Sequence, residues 1–493
     1  MNKTKYILLV IISVLLSFNN VKLIAQSGLL TGDLNRVVVL ARFNGDPEFD
    51  QSRSYYDTYY NGADLSLKSY FNAISNGKLN VNSILFPTES STSNSFELKY
   101  CFFCYDSDWS KNFPTCKGKD ISSLTDVSIG FIIKDLVSKI GTDLDPGINI
   151  DKDNDGIVDN FVILLRGSGR GLNQGIYTPQ NGVISDRFTN TNGLITLNGK
   201  IVKNYTIVYE RNSLSTNCRF LLNYLGFPCL YRMNSSYPRP VGAWDPMDGP
   251  ELSYPLVYNR WKYSAGQWVD SIPTIDKAGT YTLNSSAKET NNAYRINSSD
   301  PNEFFILEFR DNSKGYDSNL PESGLIVYRV NNLQTGSVNE IPEYYVFRTD
   351  GTVTIAGDLQ SAAFSNLNGR VSLNETSNPA PFLSTGVSQD ISISGITIVG
   401  QTLTFNVDNF PTSTNTIKTD DLKIYPNPTS GLIHVSGNYE KLTLFDITGK
   451  RLFEKVMTVD TQESIDISNR NRGVYILELK NGQETKKVKI IRY

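Results

Sequence analysis

The sequence predicts an α+β protein, a mixed block of helices and buried strands followed by all-β blocks. Three observations predict it. RVVVLARF (residues 36–43) and DNFVILLRG (159–167) are apolar, β-branched runs that read as buried strands. Helical spacing lies between them, over Tyr55 to Ile74 with apolar Leu65, Leu67, Tyr70, Phe71 and Ile74, and over SIGFIIKDLVSKI (128–140). From Gly279 onward the texture becomes short strands separated by Gly, Asn, Asp and Ser turns: YTLN, FFILEFR, GLIVYRV, EYYVFRT and ITIVGQTLTFNV.

Composition bounds what such a chain can do. Its 493 residues suffice for two to four domains, and 39% apolar with 11% aromatic residues support packed cores. A net charge of −3 without a long basic block argues against nucleic acid as a partner. Lys3 and Lys5 precede the apolar run YILLVIISVLLSF, and Ala25 offers a cleavage point. Residues 1–25 therefore read as a secretory signal peptide, the run being shorter than the roughly 20 residues of a spanning helix. No second run of that kind follows, so the mature chain is expected to be exported without a transmembrane segment. Cys101, Cys104 and Cys116 cluster, whereas Cys218 and Cys229 lie far along the chain. In an oxidising compartment a disulfide from Cys116 to Cys101 or Cys104 is expected, with the pairing open.

The elements then follow in order. The mixed block spans 26–275, and CRFLLNYLGFPCLY (218–231) within it reads as a short buried helix ending at Gly226, with Pro228 as its stop. WDPMDG (244–249) reads as a turn. A β-sandwich extension is expected over 276–410, and PTSTNTIKTDD (411–421) as a polar linker. The last block, 422–493, is β again, with TGK and NGQ at hairpin turns. GSGRG (167–171) follows a strand but has no Lys-Ser/Thr pair after it, so it reads as a turn and not a phosphate loop.

DKDNDGIVD (151–159) is the clearest ligand-bearing motif. Asp151, Asp153 and Asp155 alternate, Gly156 permits a sharp turn, and Asp159 stands at the ninth position. This spacing curls carboxylates and the Ile157 carbonyl around a hard cation, which wants six to eight oxygens. Val162 stands where a twelfth-position Glu would complete a helix-loop-helix site. A structural Ca²⁺ is expected, set against the plainer reading of an acidic surface turn.

Several segments together resemble the immune inhibitor A family of secreted zinc metallopeptidases: VVVLARF, YYNGADLSLKSYFNAISNGKLNV, DNDGIVDNFVILLRG, LGFPCLY, VGAWDPMDG and PNEFFILEFRDNSKGYDSNLPESGLIVYRV, in that order over roughly residues 35 to 331. The resemblance implies a zincin-like domain whose HExxH helix precedes LG-x-P-x-LY. There two His bind Zn²⁺ while the Glu acts as general base on metal-bound water. Carried over position by position, the first His falls on Arg219, the Glu on Phe220, the second His on Asn223 and a later acidic ligand on Cys229. A methionine turn survives as Met247. Arg219 has no lone pair to offer and Phe220 cannot move a proton. The only His in the chain, His434, lies in the last block. Zn²⁺ is therefore expected to be absent, and Arg219 to pair with a carboxylate of the former cleft.

The tail has its own resemblance. LKIYPNPTSGLIHV, FDITGKRL, RGVYILEL and KKVKIIRY resemble the C-terminal sorting domain of type IX secretion system cargo, which implies a small Ig-like sandwich. The same resemblance implies export through that machinery to the outer cell surface or the medium. The combined reading is a secreted pseudopeptidase with a peptide- or protein-binding or accessory surface role. Two alternatives stay open: an active metalloendopeptidase with substituted ligands, and a structural or adhesive surface protein.

Overall fold

The computed structural model describes residues 27–101, 119–120, 126–167, 180–232, 238–313, 315–337, 341–410, 423–437, 439, 441–456, 463–481 and 484–493. The expected signal peptide, linker, Cys104, Cys116 and all of GSGRG after Gly167 lie outside them. Two compact units are present, one within Met1–Ile296 and Asn302–Phe410, the other within Asn297–Pro301 and Pro411–Tyr493.

The first unit is organised by a sheet of β1 (Gly32–Arg42), β2 (Leu79–Phe86), β3 (Phe161–Leu165), β4 (Gln180–Val183) and β5 (Asn204–Tyr209) in the order β2-β1-β3-β5-β4. β1–β2, β1–β3 and β3–β5 pair in parallel, while β4 is antiparallel at the edge. Parallel neighbours need crossovers. Helices α1 (Arg53–Asn61) and α2 (Leu67–Ile74) lie in the β1–β2 connection, and α3 (Asp126–Ile140) in the β2–β3 connection. α4 (Asp186–Asn192), α5 (Leu214–Tyr224) and α6 (Val257–Tyr263) follow.

Side chains of β1 alternate between two cores, as strand geometry requires. Leu34, Val38 and Leu40 join α1, α2 and α5, whereas Val37, Val39 and Ala41 join α3. Both faces are covered, which is why the strand reads as an unbroken apolar run.

The single helix expected over Tyr55 to Ile74 is two helices. Ser66 caps α2, its Oγ accepting from Ser69 N at 3.0 Å while Ser69 Oγ accepts from Ser66 N. Leu65, expected to be apolar helix face, has φ +47° and is 78% exposed, because it occupies the turn between the helices.

The later part of this unit contains β6 (Gly279–Asn284), β7 (Ala293–Asn297), β8 (Glu303–Arg310), β9 (Gly324–Asn331), β10 (Tyr344–Val346), β11 (Ser392–Val399) and β12 (Thr402–Asn409). They form two sheets, β7-β8-β9-β10 and β6-β12-β11. Every residue of β8 and β9 is buried. Phe304, Ile306, Ile326 and Tyr328 belong to the core that contains α5, while Phe305, Leu307, Leu325 and Val327 pack with β6, β11 and β12. The division expected at residue 275 thus falls inside one compact unit.

The second unit contains β13 (Lys423–Tyr425), β14 (Leu432–Ser436), β15 (Lys441–Asp446), β16 (Arg451–Val456), β17 (Glu463–Asp466), β18 (Gly473–Asn481) and β19 (Glu484–Arg492). Two antiparallel sheets, β13-β14-β17 and β16-β15-β18-β19, share a core of Ile433, Val435, Leu442, Leu444, Leu477 and Leu479. TGK forms the β15–β16 turn, where Gly449 takes φ +82° and Asp446 N donates to Lys450 O. Asn481 of NGQ ends β18 and pairs with Glu484 of β19, and residues 482–483 lie outside the described set.

Candidate functional site

Helix α5 starts at Ser213, whose Oγ accepts from Thr216 N at 3.2 Å. It ends as the sequence predicts. Gly226 takes φ +97°, its N–H donates to Asn223 O, and Phe227 N donates to Leu222 O at 3.0 Å. This pair of bonds is a Schellman closure, which needs a residue in the left-handed region. The chain then turns at Pro228, and Leu230 N donates to Met247 O. The turn containing Met247 is thereby tied to the end of α5.

That turn is held from inside by two buried carboxylates. Asp245 accepts from Met247 N, Leu256 N and Asn259 Nδ2, each within 2.9 Å. Burial pushes its carboxyl up to about 6, against those three donors. Asp248 accepts from Val241 N and Gly242 N, and its carboxyl is also raised by burial. Met247 itself is fully buried.

Positions 219, 223 and 229 converge against this turn. Arg219 Nε donates to Pro246 O at 2.7 Å and Nη2 donates to Gly249 O. Asn223 Nδ2 donates to Phe227 O at 3.2 Å and reaches Cys229 Sγ at 3.8 Å. The Cys229 thiol is pushed up by burial, while contact with Tyr231 and the Arg219 charge act in the opposite direction. Among the described residues no carboxylate forms an ion pair with Arg219, although its charge acts on the nearby Asp248 carboxyl. Two turn carbonyls accept from the guanidinium instead, because its rigid fork of donors meets them directly. Phe220 is half-buried, and its carbonyl accepts from Asn181 Nδ2 at 2.9 Å.

Asn181 is a residue that sequence reasoning did not single out. It lies on edge strand β4, and its Nδ2 also donates to Asn223 Oδ1 at 3.1 Å. Behind it, Asn160 Nδ2 donates to Thr206 Oγ1, which donates to Asn181 Oδ1 at 2.7 Å. A polar chain therefore runs across the sheet to Asn223. Its signal is tertiary, since nothing in PQNGV marks a partner on α5. Cys218 and Cys229 are both free thiols, and Cys218 is fully buried.

The acidic loop 151–159 brings together part of its expected set. Carboxylate oxygens of Asp151, Asp153 and Asp159 lie within 4.8 Å of one another. Asp151 also accepts from Asp155 N and Gly156 N at 3.0 Å, and from Lys200 Nζ at 2.7 Å. Asp159 is raised to about 7, first by desolvation, with Asp153 and Asp151 adding repulsion. Asp153 Oδ1 is buried and has no hydrogen-bond partner among the described residues. Asp155 is not in the cluster, and its Oδ1 accepts from Ile157 N at 2.8 Å. A separate concavity of about 220 Å³ opens beside β5, lined by Tyr55, Tyr56, Tyr59, Tyr60, Tyr209 and Glu210 among others. Glu210 is engaged there by Tyr56, Asp50 N, Arg166 and Gly167 N.

Among the described residues no helix is long and apolar enough to cross a membrane. No curated protein matches the chain. Residues 423–492, the two-sheet second unit, match the family model of the secretion system C-terminal sorting domain. The chain therefore carries a type IX sorting tail, which implies interaction with that secretion machinery and a secreted or cell-surface destination.

Proposed function

We propose that the first unit is a metallopeptidase-like body without peptidase activity, which acts after export by binding a peptide or protein. One observation carries this reading. Arg219 stands where the resemblance puts the first metal ligand, and its guanidinium is bonded to Pro246 O and Gly249 O of the Met247 turn. A permanent cation fixed there repels a metal ion and offers it no lone pair. Phe220 supplies no base, and Asn223 spends its amide on Asn181, Phe227 and Cys229. The convergence of 219, 223 and 229 beside a methionine turn supports a retained scaffold. The test is the zinc content of the purified mature protein, together with cleavage of a denatured protein substrate. Little zinc and no cleavage are expected. Stoichiometric zinc with chelator-sensitive cleavage would establish the active alternative.

The same reading gives Ca²⁺ a structural role in the 151–159 loop. Three carboxylates within 4.8 Å suit an ion with oxygen ligands at about 2.3–2.6 Å. The stranded Asp153 Oδ1 is an oxygen such an ion would satisfy. Asp151, Asp153 and Asp159 would hold it, with Asp155 and the Ile157 carbonyl as the further donors the spacing suggests. Its chemistry there is neutralisation of repelling carboxylates, which ties the loop to the start of β3. Calcium is expected to raise Tm saturably, and Asp153→Ala to abolish the effect. Identical melting in calcium and in chelator would dismiss the role.

A further inference from the structure

Arg36 lies in the middle of β1 and is 2% exposed. Alternation along the strand puts it on the face of Leu34, Val38 and Leu40, toward α1 and α5. The strand register sets Ser83 of β2 beside it, and Val37 N donates to Asn160 O on its other side. Its guanidinium carbon stands 5.8 Å from the centre of the Tyr60 ring. Cys218 of α5, Tyr59 and Tyr224 are the other groups whose charge it feels, and no carboxylate is among them.

The guanidinium is consequently a buried cation without a counterion among the described residues. Its Nε and Nη1 have no hydrogen-bond partner, and neither has the neighbouring Ser83 Oγ. Arginine cannot escape this by losing its proton, because its intrinsic basicity is too high. An unpaired charge in a protein interior costs several kcal/mol, so buried charges are found paired. The neighbours able to become anions are Tyr60, Cys218, Tyr59 and Tyr224, and burial holds each in its neutral form. The unmet groups at this point include three donors, two from one guanidinium and one from a hydroxyl on the adjacent strand. Nε and Nη1 lie on different edges of the guanidinium, and a small acceptor of negative charge seated on either edge supplies the missing counter-charge, with the Ser83 hydroxyl on the same face of the sheet.

We infer that Arg36 and Ser83 hold a small monovalent anion of the halide class between the sheet and helices α1 and α5. The site is independent of the proposed function, since it lies on β1–β2 and uses none of Arg219, Phe220, Asn223 and Cys229. It makes the folded body a halide-dependent structure, with the ion acting as a ligand of the native state alone.

Thermal unfolding of the intact mature protein at fixed ionic strength tests this, with sodium chloride or bromide exchanged for sodium methanesulfonate. A saturable rise in Tm of a few degrees with chloride and bromide is expected. Arg36→Met should lose the dependence. Should that variant fail to fold, crystals of the parent grown in bromide decide the matter. A bromide anomalous peak at hydrogen-bond distance from Arg36 Nε or Nη1 supports the inference. A halide-independent Tm with only an ordered water at that point overturns it. So does a carboxylate from residues outside the described set seated on Arg36.

Discussion

Replacing Arg310 by Met should come close to unfolding the first unit. The guanidinium uses all five of its N–H donors. Nε and Nη2 grip Asp317 at 2.8 and 2.6 Å, Nη1 reaches Glu308 at 3.2 Å and Trp244 O at 2.7 Å, and Nη2 reaches Tyr254 O at 2.8 Å. Arg310 and Glu308 are fully buried and Asp317 nearly so. Truncation therefore strands buried carboxylates and two carbonyls, with no water to replace the lost donors. Breaking such a pair costs about 3–5 kcal/mol. The orphaned carbonyls bring the loss to roughly 4–6 kcal/mol, allowing for relaxation. That is a large share of the ~5–15 kcal/mol that holds a domain together. Urea unfolding gives the number directly, read as a fall in midpoint at unchanged m. The pH dependence adds a second readout. Glu308 is already raised by desolvation, and Arg310 is the largest influence opposing that shift. Without it the folded state binds more protons than the unfolded one above the unfolded carboxylate pKa. Stability of the variant should then fall more steeply than that of the parent as pH rises from about 4 toward neutrality. An Arg310→Met protein within 1 kcal/mol of the parent, with the same pH slope, would refute this account of the Trp244–Met247 turn.

Further consequences can be measured on the same protein. Asp245 is raised by burial from 3.8 to about 6, so its folded form binds more protons than its unfolded form between those values. Stability should fall by roughly 3 kcal/mol as pH rises through that window, and Asp245→Asn should flatten the slope while removing an acceptor from Met247 N or Leu256 N. Gly226→Ala forces a side chain to φ +97° at the close of α5 and should cost about 1–2 kcal/mol in denaturant unfolding. The combined change R219H, F220E and N223H should give zinc binding above that of the parent, detected by metal content after dialysis. Failure of the folded triple variant to take up zinc would mean that the scaffold around α5 has moved as well as its residues.

How much of this was legible depends on how local each signal is. The end of α5 was readable because Gly226 and Pro228 are local punctuation, and the structure closes the helix there with a Schellman pair. The break between α1 and α2 was also local, in the capping pair Ser66 and Ser69, but apolar spacing across Leu65 outweighed it. The packing of the strands beyond residue 275 against the core of α5 left a different trace. In EFFILEFR every side chain is buried, so neither face of β8 is a solvent face. An unbroken apolar strand whose charges are also inside demands a layer on both sides. One of those layers is the core of α5. The site shows the sharper limit. Identity at position 219 is enough to say that no metal ligand stands there, yet it misled about the partner. A cation was expected to seek a carboxylate, and Arg219 found carbonyls that the Asp245-bound turn holds out to it. The turn that Asp245 and Asp248 hold from inside presents its outer carbonyls to α5, and a long, fixed fork of donors at position 219 reaches them where a shorter side chain would not.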